Sequence, residues 1–504
     1  MNISQQAKSF FLLIGIGSLF LSCAGAGFQE GPAGDGAPSE AALFFHRLDA
    51  AVNAAGVRNA SAVRIPGFPY LRADRFLEAM KDRVDTPGEH ADWIDRMRAR
   101  DRAARRKEIS NLPDPDAILS STAIKPVSKS SRENLYAMAA DYGDALRAKD
   151  RETKDFYERV KTAVEVPSEY EPWLQFAGAY PLAVIPVAVA TWNVQRKFTR
   201  FHKTAPEALP VQGKLIRFAP ELSEPPATPS EIQEYVARAR QDALGIPILS
   251  RAQIEAMIFT FAPVFVQDVA ADYDRIGGLF WNEDQVGIDL NHPTVYYYLS
   301  HGFYKGRPAL QIVYVIWYPG RRGPHAPWYE HGHLDGLTMR VSLDPSGRPF
   351  MVDFMNNCGC YHFFVPDRER VERVITVSGG ADPFVPVWLP DHFPEKRLHP
   401  RIMSGWHQVE NLSAAHAPVD AVPYRLKPYE TLERLPRPGG RTESIFDSRG
   451  IAKGSERIEP IIFFPMGVPE VGAMRQRGHH AIKFLGRAHF DAPDLFDRNF
   501  EFNK

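Results

Sequence analysis

The chain has 504 residues and a formal net charge of −1, with 44% hydrophobic and 24% charged residues. This composition is ordinary for a globular protein, and the length is sufficient for two or three domains. The near-neutral charge argues against a nucleic-acid-binding protein, because contacts with phosphates need a clear excess of Lys and Arg. We therefore expect no nucleic acid among its partners.

Residues 1–23 predict an export signal. Lys8 precedes an uncharged apolar run that ends at Leu21 and is followed by small residues. A run this short is typical of a secretory signal, since a spanning helix needs about 20 apolar residues. The ending Leu21-Ser22-Cys23 resembles a bacterial lipobox, in which the cysteine is lipidated and becomes the mature N-terminus; Phe20 stands where a leucine is usual. The alternative is an ordinary cleaved signal in which Cys23 has no role.

The lipobox resemblance also implies a location. Ala24, and not an aspartate, follows Cys23, and the lipoprotein sorting rule then implies the outer membrane. We expect an exported protein held to the membrane by a lipid on Cys23, at the periplasmic face of the outer membrane. With an ordinary signal it would be a soluble periplasmic or secreted protein. Residues 24–40 are rich in Gly, Ala and Pro, which predicts a flexible tether.

Residues 41–203 have the pattern of a helical region. Ser130 and Glu133 have the spacing of a capping box, and apolar residues follow them at helical intervals. The run from Arg96 to Lys107 is rich in arginine, but acidic residues interleave with it and flank it. We expect this run to be a solvated helix face rather than a site for a polyanion.

One segment of this region, residues 172–195, contains no charged residue. It is long enough to cross a membrane. Pro181 and Pro186 argue against a spanning helix, because proline removes a helical hydrogen bond and kinks the chain. The sequence therefore favours a buried or interfacial segment.

The second half of the chain changes character. Residues 204–230 are rich in proline and predict a linker, and helix starts at Thr228 and Ser250 follow. Beyond about residue 264, β-branched and aromatic runs are bounded by Gly, Pro and Asn, which predicts strands. We expect an α+β fold, in which a helical N-terminal region precedes helices and a mainly antiparallel, sandwich-like β domain within residues 231–504.

Two clusters of candidate metal ligands lie about one hairpin apart in this β domain. The first contains His331 and His333, and the second contains Cys358, Cys360 and His362. Imidazole and thiolate are the side chains that bind zinc and copper. The two clusters therefore predict a zinc or copper site, provided that the fold brings them together.

The sequence between the clusters predicts how they would meet. Apolar residues alternate along two runs joined by a four-residue loop, and partner strands must bury them on the same side. This rule pairs Leu343 with Phe350, Val341 with Val352 and Met339 with Phe354. Continued outward, it pairs Asp335 with Cys358, His333 with Cys360 and His331 with His362, with β-carbons about 5 Å apart. A bulge would break this register at one of three glycines, Gly332, Gly336 or Gly359.

The cysteines admit two other interpretations. An exported protein passes through an oxidising compartment, where Cys358 and Cys360 would tend to form a disulfide. Residues i and i+2 of a strand are barely close enough, so the bond would need local bending at Gly359 and would be more oxidising than a structural disulfide. The third interpretation is that both are packing residues. Glu330 and Asp335 flank the histidines and are candidates to orient ligands or transfer protons, or else to form surface ion pairs.

A short part of the chain is similar to a known family. Tyr304-Lys305-Gly306-Arg307, Trp317-Tyr318-Pro319 and His331-Gly332-His333 resemble the necrosis-inducing secreted proteins. Those proteins pair a strand ending in W-Y-x-P with a G-H-R-H-D-W-E motif that binds a divalent cation within a β-sandwich. The resemblance implies a sandwich and a metal. It does not extend to Leu334, which replaces the aspartate after the second histidine, and no toxin activity is inferred.

No motif in the sequence names a reaction. The chain lacks G-x-S-x-G, H-E-x-x-H, a phosphate-binding glycine loop and a dinucleotide fingerprint. We expect a cell-envelope lipoprotein with a His/Cys metal site. An open zinc position would support metal-dependent hydrolysis, because zinc lowers the pKa of bound water to about 7. The alternative is a non-enzymatic protein for envelope interaction or metal sequestration, with a closed site or a Cys358–Cys360 disulfide.

Overall fold

The structure is a computed structural model that describes residues 39–119, 130–221, 226–376 and 382–503. The export signal, Cys23 and almost all of the expected tether lie outside the described residues. Their predictions are therefore carried forward unchanged.

The N-terminal region is helical, as predicted, with one small β-hairpin. Its hydrophobic core gathers Phe45, Leu71, Trp93, Leu135 and Phe156. The helices are α1 (Glu40–Ala54), α2 (Arg75–Met80), α3 (Pro87–Asn111), α4 (Asp116–Leu119), α5 (Ser131–Arg151), α6 (Phe156–Ala163), α7 (Pro172–Ala177) and α8 (Tyr180–Lys203), and the hairpin strands are β1 (Val63–Ile65) and β2 (Phe68–Ala73). Within the described ranges, no helix is long and apolar enough to cross a membrane.

The predicted helix starts are confirmed. The Ser130 side chain accepts a hydrogen bond from the Glu133 amide and caps α5. Complete capping boxes at Thr228 and Ser250 begin α9 (Pro229–Arg238) and α10 (Arg251–Phe261). Each box pairs amide groups that a helix end leaves without partners, so these boundaries follow from the local sequence alone.

The prediction of a solvated face on α3 holds for only part of the arginine-rich run, because some of its cations are exposed and others are buried. Arg98, Arg105 and Lys107 are all buried. Arg105 contacts Asp49 and lies 3.2 Å from Asp101, both of them acidic. The acidic residues within and around the run are therefore partners in the interior rather than spacers on a solvent face.

The α+β fold is confirmed. The main sheet has ten strands in the order β11-β10-β9-β8-β7-β15-β3-β4-β13-β14, with three parallel pairs among otherwise antiparallel neighbours. Its strands are β3 (Lys214–Pro220), β4 (Phe265–Val269), β7 (Thr294–Tyr304), β8 (Arg307–Arg321), β9 (Gly332–Leu343), β10 (Pro349–Asn356), β11 (Phe363–Pro366), β13 (Arg397–Ile402), β14 (Val409–Ala415) and β15 (Val422–Pro428). β3 lies within the stretch whose composition indicated a linker.

The remaining elements are short. They are the strands β5 (Gly278–Asn282), β6 (Gln285–Asp289), β12 (Val371–Val374), β16 (Leu435–Pro436), β17 (Thr442–Glu443) and β18 (Phe500–Phe502), and the helices α11 (Glu459–Phe463) and α12 (Leu495–Asn499). The 3₁₀ turn Phe464–Met466 continues α11. These elements cover the ends and one face of the sheet.

Both faces of the sheet are packed. On β8, Val313, Val315 and Trp317 enter one hydrophobic cluster, whereas Tyr314 and Ile316 enter another on the opposite face. Successive side chains of a strand point to opposite faces, so an unbroken apolar strand requires cover on both sides. The centre of the sheet is thereby a rigid base for the loops at the ends of β8, β9 and β10.

Candidate functional site

The inner part of the predicted hairpin is confirmed. Val341 pairs with Val352 and Met339 with Phe354. Leu343 pairs with Pro349 rather than with Phe350, because the register shifts between Pro349 and Met351. Apolar alternation therefore predicted the centre of the pairing and missed the irregularity next to the loop.

The outward extension of that register is wrong. β10 ends at Asn356, and the chain then turns back toward β11 instead of continuing along β9. Asp335 is opposite Tyr318 of β8, and His333 is opposite Gly320. Gly359 explains the turn: its φ is +92°, and a β-carbon there would lie 2.4 Å from the carbonyl oxygen of Ala481. Only glycine fits this position.

The two histidines of the first cluster contact backbone carbonyls elsewhere rather than the cysteines. His331 and His333 are exposed, and the Nε2 of His333 is 2.7 Å from the carbonyl oxygen of Val286. The His331 Nε2 is 3.2 Å from the carbonyl oxygen of Ala326. Leu334 has a φ of +56°, which interrupts the strand alternation, so the fully buried Asp335 does not share a face with His333.

His362 belongs to a separate buried ion pair. Its Nε2 lies 2.7 Å from Asp353, which accepts two hydrogen bonds from Arg340 at 2.9 and 2.6 Å. Burial lowers the pKa of His362, against the opposing effect of Asp353. The Nε2 of His362 is therefore already bonded to the Asp353 carboxylate.

The five predicted ligands do not form one cluster. Among the described residues, no group of three or more His, Cys, Asp or Glu side chains is arranged to hold a metal ion. The opposed register was the geometric basis for zinc or copper, and that basis is removed. Metal binding itself stays a prediction from residue types.

The two cysteines do lie together. Both thiols are free, and the backbone amide of Cys360 donates to the Cys358 sulfur at 3.4 Å. A hydrogen bond from the Cys360 thiol lowers the pKa of Cys358, and the positive charge of Arg321 acts in the same direction. The same bond and burial raise the pKa of Cys360. Cys358 is thus the thiol that ionises first.

The carboxylates that flank the histidines join a buried charge network instead of the surface. Arg321 donates two hydrogen bonds of 2.9 Å to Asp335 and one to Glu330. Asp335 also lies 2.7 Å from His407. Burial lowers the pKa of His407, but Asp335 and Asp274 outweigh this effect and raise it. Glu330 accepts hydrogen bonds from the hydroxyl of Tyr361 and from the indole N–H of Trp406. Arg321 and Asp335 lock the start of β9 to the end of β8.

A cavity of about 200 Å³ opens beside the cysteines. Most of its wall is apolar, and one side is the inner face of α8, with Val187, Val194 and Phe198. Its polar groups include those of Cys358, Cys360, Glu330, Tyr361, His362 and Glu459, and others come from Thr191, Gln195, Asp382 and Lys483. A mostly apolar pocket with a few converging polar groups is the usual form of a small-molecule site.

Glu459 is the acidic group of this cavity that sequence reasoning missed. Burial raises its pKa to about 8, and the negative charges of Cys358 and Glu330 add to the effect. Gly472 packs against its carboxyl group, where a β-carbon would lie 1.8 Å from Oε2. Glu459 is therefore protonated at neutral pH, beside a thiol that is prone to ionise. No sequence signal near Cys358 indicated it, because α11 lies far along the chain.

Comparisons with known proteins add no relative. No protein-family model, curated protein or solved structure matches this chain. The site is therefore interpreted from its own residues.

Proposed function

We propose that this protein carries out thiol–disulfide exchange at the Cys358–Cys360 pair, within the apolar cavity beside α8. The observation that carries the proposal is that two free cysteines, joined by a hydrogen bond from the Cys360 amide to the Cys358 sulfur, line a cavity that also contains a buried carboxyl group. Paired thiols of unlike acidity are the arrangement that exchange requires, since one attacks and the other resolves.

The exchange needs no oxidant other than the disulfide substrate and no reductant other than the two thiols. The Cys358 thiolate attacks one sulfur of an apolar disulfide substrate and displaces the other as a thiolate, which takes a proton from the neutral Glu459 carboxyl. The Cys360 thiol then loses its proton to Glu459 and attacks the Cys358 sulfur, which releases the second substrate sulfur as a thiolate. That thiolate takes up from solvent the proton that Cys358 lost when it ionised. The protein ends with a Cys358–Cys360 disulfide, and the substrate is reduced to two thiols.

The surroundings of the pair support this direction of attack. Cys358 is stabilised as a thiolate by the Cys360 thiol and by Arg321. A bond between residues i and i+2 closes a small, strained ring, so the oxidised pair would itself be a ready oxidant. The protein would then return the oxidation to a second thiol substrate, in the reverse of the same steps.

We further propose that the chain is an exported envelope lipoprotein, attached through Cys23 at the periplasmic face of the outer membrane. The apolar run before Cys23 and the lipobox-like ending support this. An oxidising compartment is where a reactive dithiol can be reoxidised. A lipid anchor would hold the pair near the envelope without changing its chemistry.

Glutathione disulfide tests the exchange. In the full chain with Cys23→Ser, we expect wild-type cysteines to give the internal disulfide, C360S to accumulate a mixed disulfide at Cys358, and C358S to react at least about 10-fold more slowly. Intact mass measurement distinguishes the three products. Trapping at Cys360 that is as fast as at Cys358 would contradict the proposed order of attack.

Elemental analysis and a free-thiol count on the same preparation test the metal prediction. About one zinc or copper per chain, lost in C358S and C360S, would replace exchange with a metal centre. The matched control is His333→Ala, because His333 is exposed and lies apart from the cysteines. Metal lost in H333A as well would restore the site that the sequence predicted.

A further inference from the structure

Helix α8 is apolar on both of its faces. Val187, Val194 and Phe198 line the cavity on the inner side. Leu182, Ile185, Val189 and Trp192 lie on the outer side, where Leu182 is 71% and Ile185 59% exposed. A helix of a globular protein normally has one polar face, and a helix that is hydrophobic all round is covered on every side. None of the residues that the structure describes covers the outer face of α8.

The exposed apolar surface extends beyond α8. On α7, Trp173 and Phe176 are exposed, Phe176 at 90%. On α11, Ile461 is 73% exposed. The helices α7, α8 and α11 all pack against the 3₁₀ turn Phe464–Met466, so their exposed apolar residues lie around one turn, and together they are here called the apolar ledge. Exposed apolar residues grouped in this way on a soluble protein mark a surface that binds a membrane or an apolar partner.

The charge along α7 and α8 is entirely positive. Between Pro172 and Lys203 the sequence contains no acidic residue, and its four cations, Arg196, Lys197, Arg200 and Lys203, lie in the last two turns of α8. All four are exposed, and none is in an ion pair with the residues that the structure describes. Arg196, Arg200 and Lys203 line a groove of about 610 Å³ together with Trp192.

We propose that the apolar ledge inserts into the surface of an anionic phospholipid bilayer, with lipid phosphates bound in the groove at the end of α8. An apolar face continued by cations and bordered by tryptophan is the pattern of an interfacial helix. Trp173 and Trp192 have an apolar ring and a polar N–H, which suits the boundary between headgroups and acyl chains.

Charge complementarity selects the bilayer over a second copy of the chain. Self-association would place the cations of one α8 near those of another, and neither α7 nor α8 contributes a carboxylate to pair with them. An anionic bilayer supplies both missing partners, since it offers acyl chains for the ledge and phosphates for Arg196, Arg200 and Lys203. The inference is independent of lipidation at Cys23 and of the chemistry at Cys358.

Insertion would also give the cavity a lipid-facing wall. The inner face of α8 lines the cavity beside the cysteines, and its outer face forms the ledge. Only the thickness of one helix then separates the bilayer from the thiol pair.

Quenching by brominated phospholipids tests the contact directly. The full chain with Cys23→Ser is mixed with vesicles of phosphatidylcholine and phosphatidylglycerol whose acyl chains carry bromine. We expect strong quenching of tryptophan fluorescence that is mostly lost in W173F/W192F. The matched control, W388F, changes a tryptophan that stacks on Arg368 and should keep the quenching. Equal quenching in the two variants would overturn the proposal.

The cations are tested by binding to the same vesicles. We expect each of R196Q, R200Q and K203Q to weaken binding about 5-fold, and vesicles of phosphatidylcholine alone to abolish these differences. Unchanged binding in the triple variant would overturn the role of the groove. A dimer in solution that L182Q/I185Q/V189Q converts to a monomer would show that protein covers the ledge, and it would also overturn the proposal.

Discussion

Helices α3 and α8 of the N-terminal region reverse the usual relation between polarity and burial. α3 is rich in charge, and Arg98, Arg105 and Glu108 on it are buried. α8 is rich in apolar residues, and Leu182 and Ile185 on it are exposed. The comparison shows that the available contacts, rather than residue type alone, decide which side chains of these helices are buried.

The buried charges of α3 have partners of opposite charge, as Glu108 shows. Glu108 accepts hydrogen bonds of 2.9 and 2.7 Å from Arg72 and one of 3.0 Å from the amide of Asn59. Arg72 also lies 3.2 Å from Asp101. The positive charges of Arg72, Arg105 and Arg64 lower the pKa of Glu108 to about 2, although its burial acts in the opposite direction. Each buried charge is thus compensated within the fold.

Glu108→Ala should be the most damaging change in this comparison. It leaves Arg72 and Arg105 buried without their shared carboxylate, and breaking a buried pair costs about 4 kcal/mol of unfolding free energy. Urea denaturation measures the loss. The control Glu234→Ala removes an exposed partner of Arg238 and should cost less than about 0.5 kcal/mol. A loss in E108A as small as in E234A would mean that the α3 network does not stabilise the fold.

The inner face of α8 should behave as ordinary core. Phe198 is 5% exposed and packs on Tyr361 and Trp406. We expect Phe198→Ala to lower the unfolding free energy by about 3 kcal/mol, because it leaves a void next to the cavity. Val189→Ala on the outer face is the control and should change it by less than about 0.5 kcal/mol. Similar losses in both variants would mean that α8 is buried on both faces.

The sequence predicted the parts of the fold that depend on neighbours in the chain. The caps at Ser130, Thr228 and Ser250 use side chains and amides three residues apart, and their helices begin as expected. The centre of the β9–β10 hairpin follows from alternation across a short loop. The parallel neighbours of β15 join segments distant in sequence, and no local pattern encodes that pairing.

The candidate site shows the same division. The Cys358-Gly359-Cys360 turn was identified from residue type, but its direction depends on the contact of Gly359 with Ala481. His407 and Glu459 reach the site from segments that are distant in the sequence, so the spacing of residues around Cys358 did not predict them. The burial of Arg98 and Arg105 on α3 was not predicted, because the packing of β2 on this helix, with its Arg72–Glu108 ion pair, joins segments that are separate in the sequence.

Glu410 gives a second buried carboxylate to set against Glu108. It lies 2.9 Å from Arg401, whose guanidinium also contacts the carbonyl oxygens of Leu209 and Pro210. Among the described residues Arg401 is the cation that lowers the pKa of Glu410, and burial, helped by the charge of Asp268, outweighs it and raises that pKa to about 7. The number of cations around each carboxylate thus explains why the two pKa values move in opposite directions.

The sign of the resulting pH dependence follows from proton binding. Between about pH 4.5, the ordinary value, and about pH 7, folded Glu410 holds a proton that the unfolded chain has lost. The unfolding free energy should fall by about 2 kcal/mol across this window relative to Glu410→Gln. Denaturation at several pH values measures the difference, with E234Q as the exposed control. A difference that is flat with pH would show that Glu410 is ionised in the fold throughout.

The outer face of α8 should contribute least to folding. Leu182, Ile185 and Val189 are largely exposed, so their replacement by glutamine removes little buried area. We expect L182Q/I185Q/V189Q without lipid to change the unfolding free energy by less than about 1 kcal/mol in total, and V211Q/I248Q/V419Q, at exposed sites elsewhere, to do the same. A loss of several kcal/mol in the α8 variant alone would mean that the helix folds back onto the protein in solution. A negligible loss would mean that the apolar residues of this face have no role in the folding of the described residues, as the surface of contact with a bilayer requires.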